Sequence, residues 1–537
     1  MVSAIALSFL APVTGFSQQR APNIVLIVAD DAGFADLGSF GSEISTPNID
    51  ALASVGVRFN NFYVGPTCSP TRSMMFSGTD NHIAGLGNMA EFTASNQKGK
   101  PGYEGHLNDR VVAFPQLLKA AGYHTYMAGK WHMGEEPAHW PAARGFDRDL
   151  TLMPGGGSHF EDMWGAKGEK QLYTQNGKKL EALRPGFHST IDYTQSIIGN
   201  IEENRADGKP FFAYLAFQAP HDPFQLPDDW LDKYKGRYDQ GYEKVRAARI
   251  ERMKQLGIIS KTANTFPKLP NIPAWDSLSP EEKRQSARKM ELFAAMMEQM
   301  DSKVGELVRY LKANNLYENT LFVFFSDNGP EGTAFPIGAP WDNSKIENWG
   351  RKGTFIQYGP AWAQVGAGPF RMFKGFHSEG GIRAPLIVAG RGVNGSGRVS
   401  EALAHVMDIP ATILNAAGVT YPETFMGRPI APIQGKTLAP VLDRSRPTVR
   451  TPSDWLGWEI FGNRAIRQNN WKLLWLCKPA GPGDWQLFDL KTDPAELNEL
   501  SAARPQVKAR MIGLWNEYVK KNNVIPASES PICAKAG

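Results

Sequence analysis

The stretch Asn23-Ile24-Val25-Leu26-Ile27-Val28-Ala29-Asp30-Asp31 decides the fold. From Ile24 to Ala29 the apolar side chains do not alternate with polar ones. A strand with this pattern is covered on both faces, as in a parallel sheet flanked by helices. The run stops at two carboxylates. In open parallel sheets, ligand sites gather at the carboxyl ends of strands, so Asp30 and Asp31 become candidate site residues.

The same rhythm continues outward. Thr46-Pro47 opens a helix, with Thr46 as N-cap and Pro47 in the first turn. Phe114 to Ala121 reads as a helix stopped at Gly122, followed by a strand from His124 to Ala128. Phe211 to Phe217, Leu321 to Phe325 and Pro385 to Val388 read as further strands. Met290, Phe293, Met297, Met300, Val304, Leu307 and Leu311 recur at helical spacing, which predicts a helix over about 286–312. Val406 to Ala417 reads as another. Such alternation gives an α/β domain with a large, mixed but mostly parallel sheet flanked by helices. After about residue 445 the pattern changes. Ala465–Arg467, Trp471–Leu476 and Trp485–Leu490 are short strands separated by turns, and Arg504 to Tyr518 is a closing helix. The expected organisation is a large α/β domain over 18–445 and a small antiparallel sheet with one helix over 446–537.

The segments 149–190 and 329–372 read as long, Gly-, Pro- and aromatic-rich loops, a length that suits a binding surface. Trp341, Trp349, Tyr358 and Trp362 would either line an apolar substrate pocket or pack their own loop.

Over 537 residues, 58 Lys and Arg against 54 Asp and Glu give a net charge of +4, with no long basic block. A nucleic-acid footprint is therefore not indicated. Residues 1–17 have an apolar run, Val2 to Val13, then small and polar residues. This reads as a signal peptide for a periplasmic or secreted protein, with a cytoplasmic location as the alternative, since no Lys or Arg precedes the run. The run is too short to span a membrane, and no other stretch looks transmembrane. Of three cysteines, Cys477 and Cys533 either form one disulfide or stay free, which leaves Cys68 as the odd thiol.

Five local patterns carry chemistry. Cys68-Ser69-Pro70-Thr71-Arg72 stands at a helix start, where the helix end and Arg72 favour negative charge. Gly129-Lys130-Trp131-His132 ends a strand. On an extended chain Lys130 and His132 face the same side, one suited to bind an anion and the other to move a proton. Asp30-Asp31 and Asp327-Asn328 each follow an apolar strand and offer oxygen ligands to Ca²⁺ or Mg²⁺. Taken singly, each Asp reads as a loop or cap residue. Ala219-Pro220-His221-Asp222 follows another strand, and Lys374 precedes a Gly-rich turn.

Together these motifs resemble the type I, formylglycine-dependent sulfatases of the alkaline phosphatase superfamily. Cys68–Arg72 is similar to their maturation signature and Gly122–His132 to a second one. Val28–Asp31, Thr67–Met74, Lys100–Val112, Phe211–Pro220, Asp327–Glu331, Gly462–Lys472 and Trp485–Leu490 extend the likeness, which is closer still to bacterial arylsulfatases of the Pseudomonas type. The resemblance implies an alkaline phosphatase-like fold and an arylsulfatase that cleaves sulfate monoesters through a covalent sulfated formylglycine. It implies that a maturation enzyme oxidises Cys68 to formylglycine. One Ca²⁺ would be held by Asp30, Asp31, Asp327, Asn328 and residue 68. Arg72, Lys130 and Lys374 would offset charge on the sulfate. Asp327 and His132 would accept protons, and His221 would protonate the leaving oxygen. A phosphonate monoester or phosphodiester hydrolase on the same site is an alternative, as is a non-catalytic binding protein on this fold.

Overall fold

The computed structural model describes residues 20–334 and 337–533. The expected signal segment therefore lies outside the described residues. The strands, in chain order, are β1 (Asn23–Ala29), β2 (Val57–Tyr63), β3 (His124–Lys130), β4 (Arg148–Leu152), β5 (Tyr173–Gln175), β6 (Lys178–Leu180), β7 (Phe211–Ala216), β8 (Thr320–Ser326), β9 (Arg383–Gly390), β10 (Arg398–Ser400) and β11 (Ala404–His405). They form one sheet ordered β10-β2-β9-β8-β1-β7-β3-β4-β5-β6, with β11 also on β2. Strand β1 lies parallel to both β7 and β8, and β3 is parallel to β7. Among these strands only β9 and β5 run against the others. Every residue of β1 is buried, as a strand covered on both faces requires.

This topology fixes where the candidate residues emerge. Asp30 follows β1, Asp327 follows β8 and His221 follows β7, while Lys130 is the last residue of β3. These four strands are neighbours and parallel, so all four residues leave the same edge. Cys68 follows β2, which is antiparallel to β9, itself antiparallel to β8; β2 therefore also ends on that edge. Lys374 precedes β9 and reaches the edge from the opposite chain direction.

The long helix covers Pro280–Ala313, starting earlier than its apolar spacing indicates. Ser279 and Glu282 form a capping box ahead of the buried stripe, with Ser279 N donating to Glu282 Oε2 at 2.8 Å. Thr46 does stand at the N-cap of the helix Pro47–Val55, but its Oγ1 accepts from Gly38 N at 2.9 Å. The first N–H groups of that helix donate instead to Asp301 of the long helix, from Asn48 at 3.0 Å and Ile49 at 2.8 Å.

Both expected loops hold regular structure. The first contains most of β4 with β5 and β6, which extend the main sheet, and the second contains the helix Gly359–Gly366. Strands of three residues present too little alternation to be visible in sequence. Trp341, Trp349 and Trp362 are buried, with indole N–H groups donating to Gly165 O, Asn343 O and Ser286 O, so they pack their segments. No described helix is long and apolar enough to cross a membrane.

A short hairpin, β12 (Thr424–Phe425) and β13 (Arg428–Pro429), precedes the second sheet. That sheet has four antiparallel strands, β14 (Trp455–Ile460), β15 (Asn463–Gln468), β16 (Trp471–Trp475) and β17 (Trp485–Asp489). The sequence does not mark strand β14, because Trp455-Leu456-Gly457-Trp458-Glu459 breaks a clean alternation. The helix Pro505–Asn522 covers this sheet, and Cys477 and Cys533 are bonded, settling the two options left open by their spacing.

Charged groups buried between the two sheets join them. Lys472 Nζ lies 2.8 Å from both Glu379 Oε1 and Glu496 Oε1. His82 Nδ1 is 2.7 Å from Asp80 Oδ1, and Nε2 is 3.6 Å from Glu459 Oε2 on β14. Burial works to lower the His82 pKa, but Asp80 and Glu459 outweigh it and raise it to about 9. A histidine whose folded value exceeds its unfolded value of about 6.5 contributes stability below that lower value and loses it as pH rises through the upper one. The Tm difference between wild type and His82→Gln is therefore expected to narrow between about pH 6.5 and pH 9.5. A difference constant across that window would contradict a charged His82.

Candidate active site

The helix Cys68–Ser77 presents residue 68 at its first position. Thr67 precedes it in extended geometry, Pro70 fits the first turn where no N–H bond is lost, and Gly78 ends it in the left-handed region. The whole helix is buried, so the thiol lies inside the protein at the positive end of the helix dipole. Cys68 Sγ is 3.4 Å from Asp30 Oδ1 and 4.0 Å from Asp31 Oδ1. Burial pushes the thiol well above its ordinary pKa despite Lys130 and Lys374. As encoded, residue 68 is thus a protonated thiol and a poor nucleophile.

Arg72 lies one turn further along and is fully buried. A buried guanidinium requires acceptors on several sides, and it has them. Its Nε and Nη2 donate to Asp327 Oδ2 at 2.9 and 2.8 Å, and Nη1 donates to Lys130 O at 2.8 Å and Tyr214 Oη at 3.2 Å. Lys130 Nζ donates to Asp30 Oδ2 at 2.6 Å. Lys130 reaches this point because Gly129 adopts φ 121° with its Cα against β7, where a Cβ would stand 1.7 Å from Ala216 O. Lys374 Nζ lies 2.8 Å from Asp31 Oδ1 and 3.2 Å from Glu331 Oε2. Asn328 Nδ2 donates to Asp31 Oδ1 at 2.6 Å.

Burial alone would raise the Asp30 carboxyl, but Lys130, His221, Arg72 and Lys374 together hold it below the usual carboxylate range. Asp327 goes the other way, raised by burial and by Asp30. His221 is pulled down by burial and lifted more strongly by Asp31 and Asp30, to about 9. Carboxylates with opposed shifts in one buried cluster mark a site organised for charge rather than a structural core.

Asp30, Asp31, Cys68 and His221 each place a ligand atom within 4.8 Å of the others. Asn328 Oδ1 is buried with no hydrogen-bond partner. An orphaned amide oxygen beside Asp31 and Asp327 fits a hard divalent cation, which takes carboxylate and carbonyl oxygens.

Asp30, Asp31, Cys68, Arg72, Lys130, His221, Asp327, Asn328 and Lys374 thus meet in one cluster. His132 stands at its side. It does not continue the extended chain from Lys130, because its φ is 58°, so the parity argument for its direction does not hold. Its Nε2 lies 2.8 Å from Glu91 Oε1, and its ring rests against Gly155. Sequence reasoning missed Glu331, Glu91 and Tyr214 as partners of Lys374, His132 and Arg72. Glu331 had a signal, an acid four residues after Asp327; the other two come from segments remote in sequence.

The sulfatase family profile matches residues 22–419, and the profile of the N-sulphoglucosamine sulphohydrolase C-terminal region matches 368–522. An uncharacterized sulfatase of Schizosaccharomyces pombe is 41% identical, over 97% of each chain. An arylsulfatase of Klebsiella aerogenes is 37% identical over 82% of this chain and 96% of its own. The solved structure of Ps i-CgsB in complex with k-i-k-neocarrahexaose aligns with TM-score 0.67 at 25% identity, covering 96% of both chains. With this fold, a buried cysteine held between carboxylates and cations, and matches of that extent, the chain belongs to the sulfatase family.

Proposed function

We propose that the chain is an arylsulfatase that matures by conversion of Cys68 to formylglycine and passes sulfate from a phenol or alcohol to water. The observation that carries this reading is Cys68 at the head of a buried helix, between Asp30 and Asp31 and within reach of Lys130, Lys374 and His221. As formylglycine, residue 68 would supply a hydrated aldehyde as nucleophile. A Ca²⁺ held by Asp30, Asp31, Asp327, Asn328 and residue 68 would neutralise charge there.

The remaining roles belong to the chain's own side chains. Lys130 and Lys374 place two ammonium groups where sulfuryl oxygens gain charge. Arg72 acts through Asp327, fixing its carboxylate by two hydrogen bonds. Asp327, with its raised pKa, is suited to accept the proton of the attacking oxygen. His221, protonated at neutral pH, is suited to donate one to the departing oxygen. His132, its Nδ1 buried and free of partners, is suited to take the proton that releases sulfate.

Turnover of p-nitrophenyl sulfate should exceed that of a matched phosphodiester at saturating metal. The reverse order would favour the phosphodiesterase alternative. A Cβ on Gly155 would stand 2.7 Å from His132 Cε1, so Gly155→Ala is expected to displace the imidazole. A displacement near 1 Å costs about 100-fold in kcat. Unchanged kcat in that variant would remove His132 from the chemistry.

The Cys477–Cys533 disulfide supports a periplasmic or secreted location, where such bonds persist. The maturation enzyme is then the one macromolecular partner this proposal requires.

A further inference from the structure

His132 takes its partner from the surface. Its Nε2 meets Glu91 Oε1 at 2.8 Å on the turn Ala90–Phe92, and the Glu91 side chain is 48% exposed against 8% for His132. A carboxylate at Nε2 keeps the ring proton there and leaves Nδ1, buried without a partner, as the acceptor. An exposed pair gains little by itself, because water competes for both groups and two side chains must be held in one geometry. The pair is therefore only as fixed as the turn that carries Glu91.

That turn is tied down from the far end of the chain. Gln97 Oε1 accepts from Asn88 Nδ2 at 2.9 Å and from Ala94 N at 3.2 Å, which closes the loop around Glu91. The other end of the same amide, Nε2, donates to Ile525 O at 2.7 Å. Residues 523–533 follow the helix Pro505–Asn522 with no helix or strand of their own and lie along this loop. Ile525 N donates to Tyr103 Oη at 2.7 Å, Asn96 Nδ2 donates to Pro526 O at 2.9 Å, and Ser95 N donates to Glu529 Oε1 at 2.6 Å. The segment ends at Cys533, bonded to Cys477, with Sγ 3.3 Å from Phe461 O. The Phe461 ring packs edge-on against that of Phe92, the neighbour of Glu91, at 5.6 Å.

We propose that residues 523–533 are a strap that positions Glu91, and through it His132, and that the Cys477–Cys533 disulfide holds the strap in place. Gln97 and Glu529 are then positioning residues, and the enzyme reaches full rate only where the disulfide forms. The inference rests on the sulfatase reading, in which His132 takes the proton that releases sulfate after the phenol has left. Without the disulfide, the strap keeps hydrogen bonds made largely at the surface, which water can replace. The loop that carries Glu91 then loosens and the His132 step slows. Release of the phenol, which uses His221, keeps its rate.

The test compares metal-loaded wild type with a Cys477→Ser/Cys533→Ser variant. Both cysteines are half-buried, so the serine hydroxyls reach water. A second variant, Glu529→Ala, keeps the disulfide and cuts the tie to Ser95. Amide hydrogen exchange of peptides covering 88–103 should quicken in both variants. On p-nitrophenyl sulfate, both should release the first equivalent of p-nitrophenol at the wild-type rate, and the serine variant should then turn over about tenfold more slowly. Unchanged exchange in the serine variant, or quickened exchange with no loss of steady turnover, would overturn the inference and leave the sulfatase reading in place. So would a first equivalent that shrinks in step with kcat, the mark of a general loss of folded enzyme. Wild type that releases no p-nitrophenol would remove the sulfatase reading itself, and this inference with it.

Discussion

Cys68→Ala is expected to abolish sulfate-ester turnover, by more than about 10⁴-fold, while the protein still folds. The two halves of this result have separate causes. Among the described residues the thiol's hydrogen-bond partners are Asp30 and Asp31, at 3.4 and 4.0 Å. Both carboxylates keep stronger partners without it, Lys130 for Asp30 and Lys374 and Asn328 for Asp31. Removing one sulfur from a buried helix leaves a small void, worth about 1 kcal/mol. Among the described residues no other nucleophile is held between Asp30 and Asp31, so the chemistry has no substitute. The check is kcat on p-nitrophenyl sulfate beside Tm. Activity near that of wild type would rule out residue 68 as the nucleophile.

Arg72→Met should do the opposite in kind, costing both stability and activity. The guanidinium is the partner of Asp327, a carboxylate that is itself fully buried. Removing one member of a buried pair leaves the other charge uncompensated, at a cost of about 3–5 kcal/mol. Lys130 O and Tyr214 Oη lose their donor as well. Arg72→Lys should fall between, since one ammonium cannot reproduce a guanidinium spread over Asp327, Lys130 O and Tyr214. Denaturation midpoints of the three proteins measure this. A Met variant as stable as wild type would show that Asp327 is neutral without Arg72, and so would weaken its role in holding a cation.

Much of this site is legible along the chain because parallel sheets announce where it lies. Asp30, Lys130 and Asp327 each end or follow an apolar run, and these runs belong to the parallel block β8-β1-β7-β3, whose strands send their ends to one edge. His132 lies beyond what periodicity can place. Its direction depends on a φ of 58° that no periodicity reveals, so the residue was found but its placement was not. Glu91 and Tyr214 were invisible for another reason: each acts only through a neighbour more than 40 positions away. The short strands β5 and β6 were hidden because three residues cannot display an alternation, and β14 because Gly457 interrupts one. Lys472, whose ammonium joins two carboxylates across the sheets, likewise reads in sequence as an ordinary strand residue.

The most direct measurement is the mass of the peptide that carries residue 68, taken from active, natively expressed protein. The account predicts an aldehyde in place of the encoded thiol, in proportion to activity across preparations. A fully active preparation in which Cys68 is an unmodified thiol would contradict it.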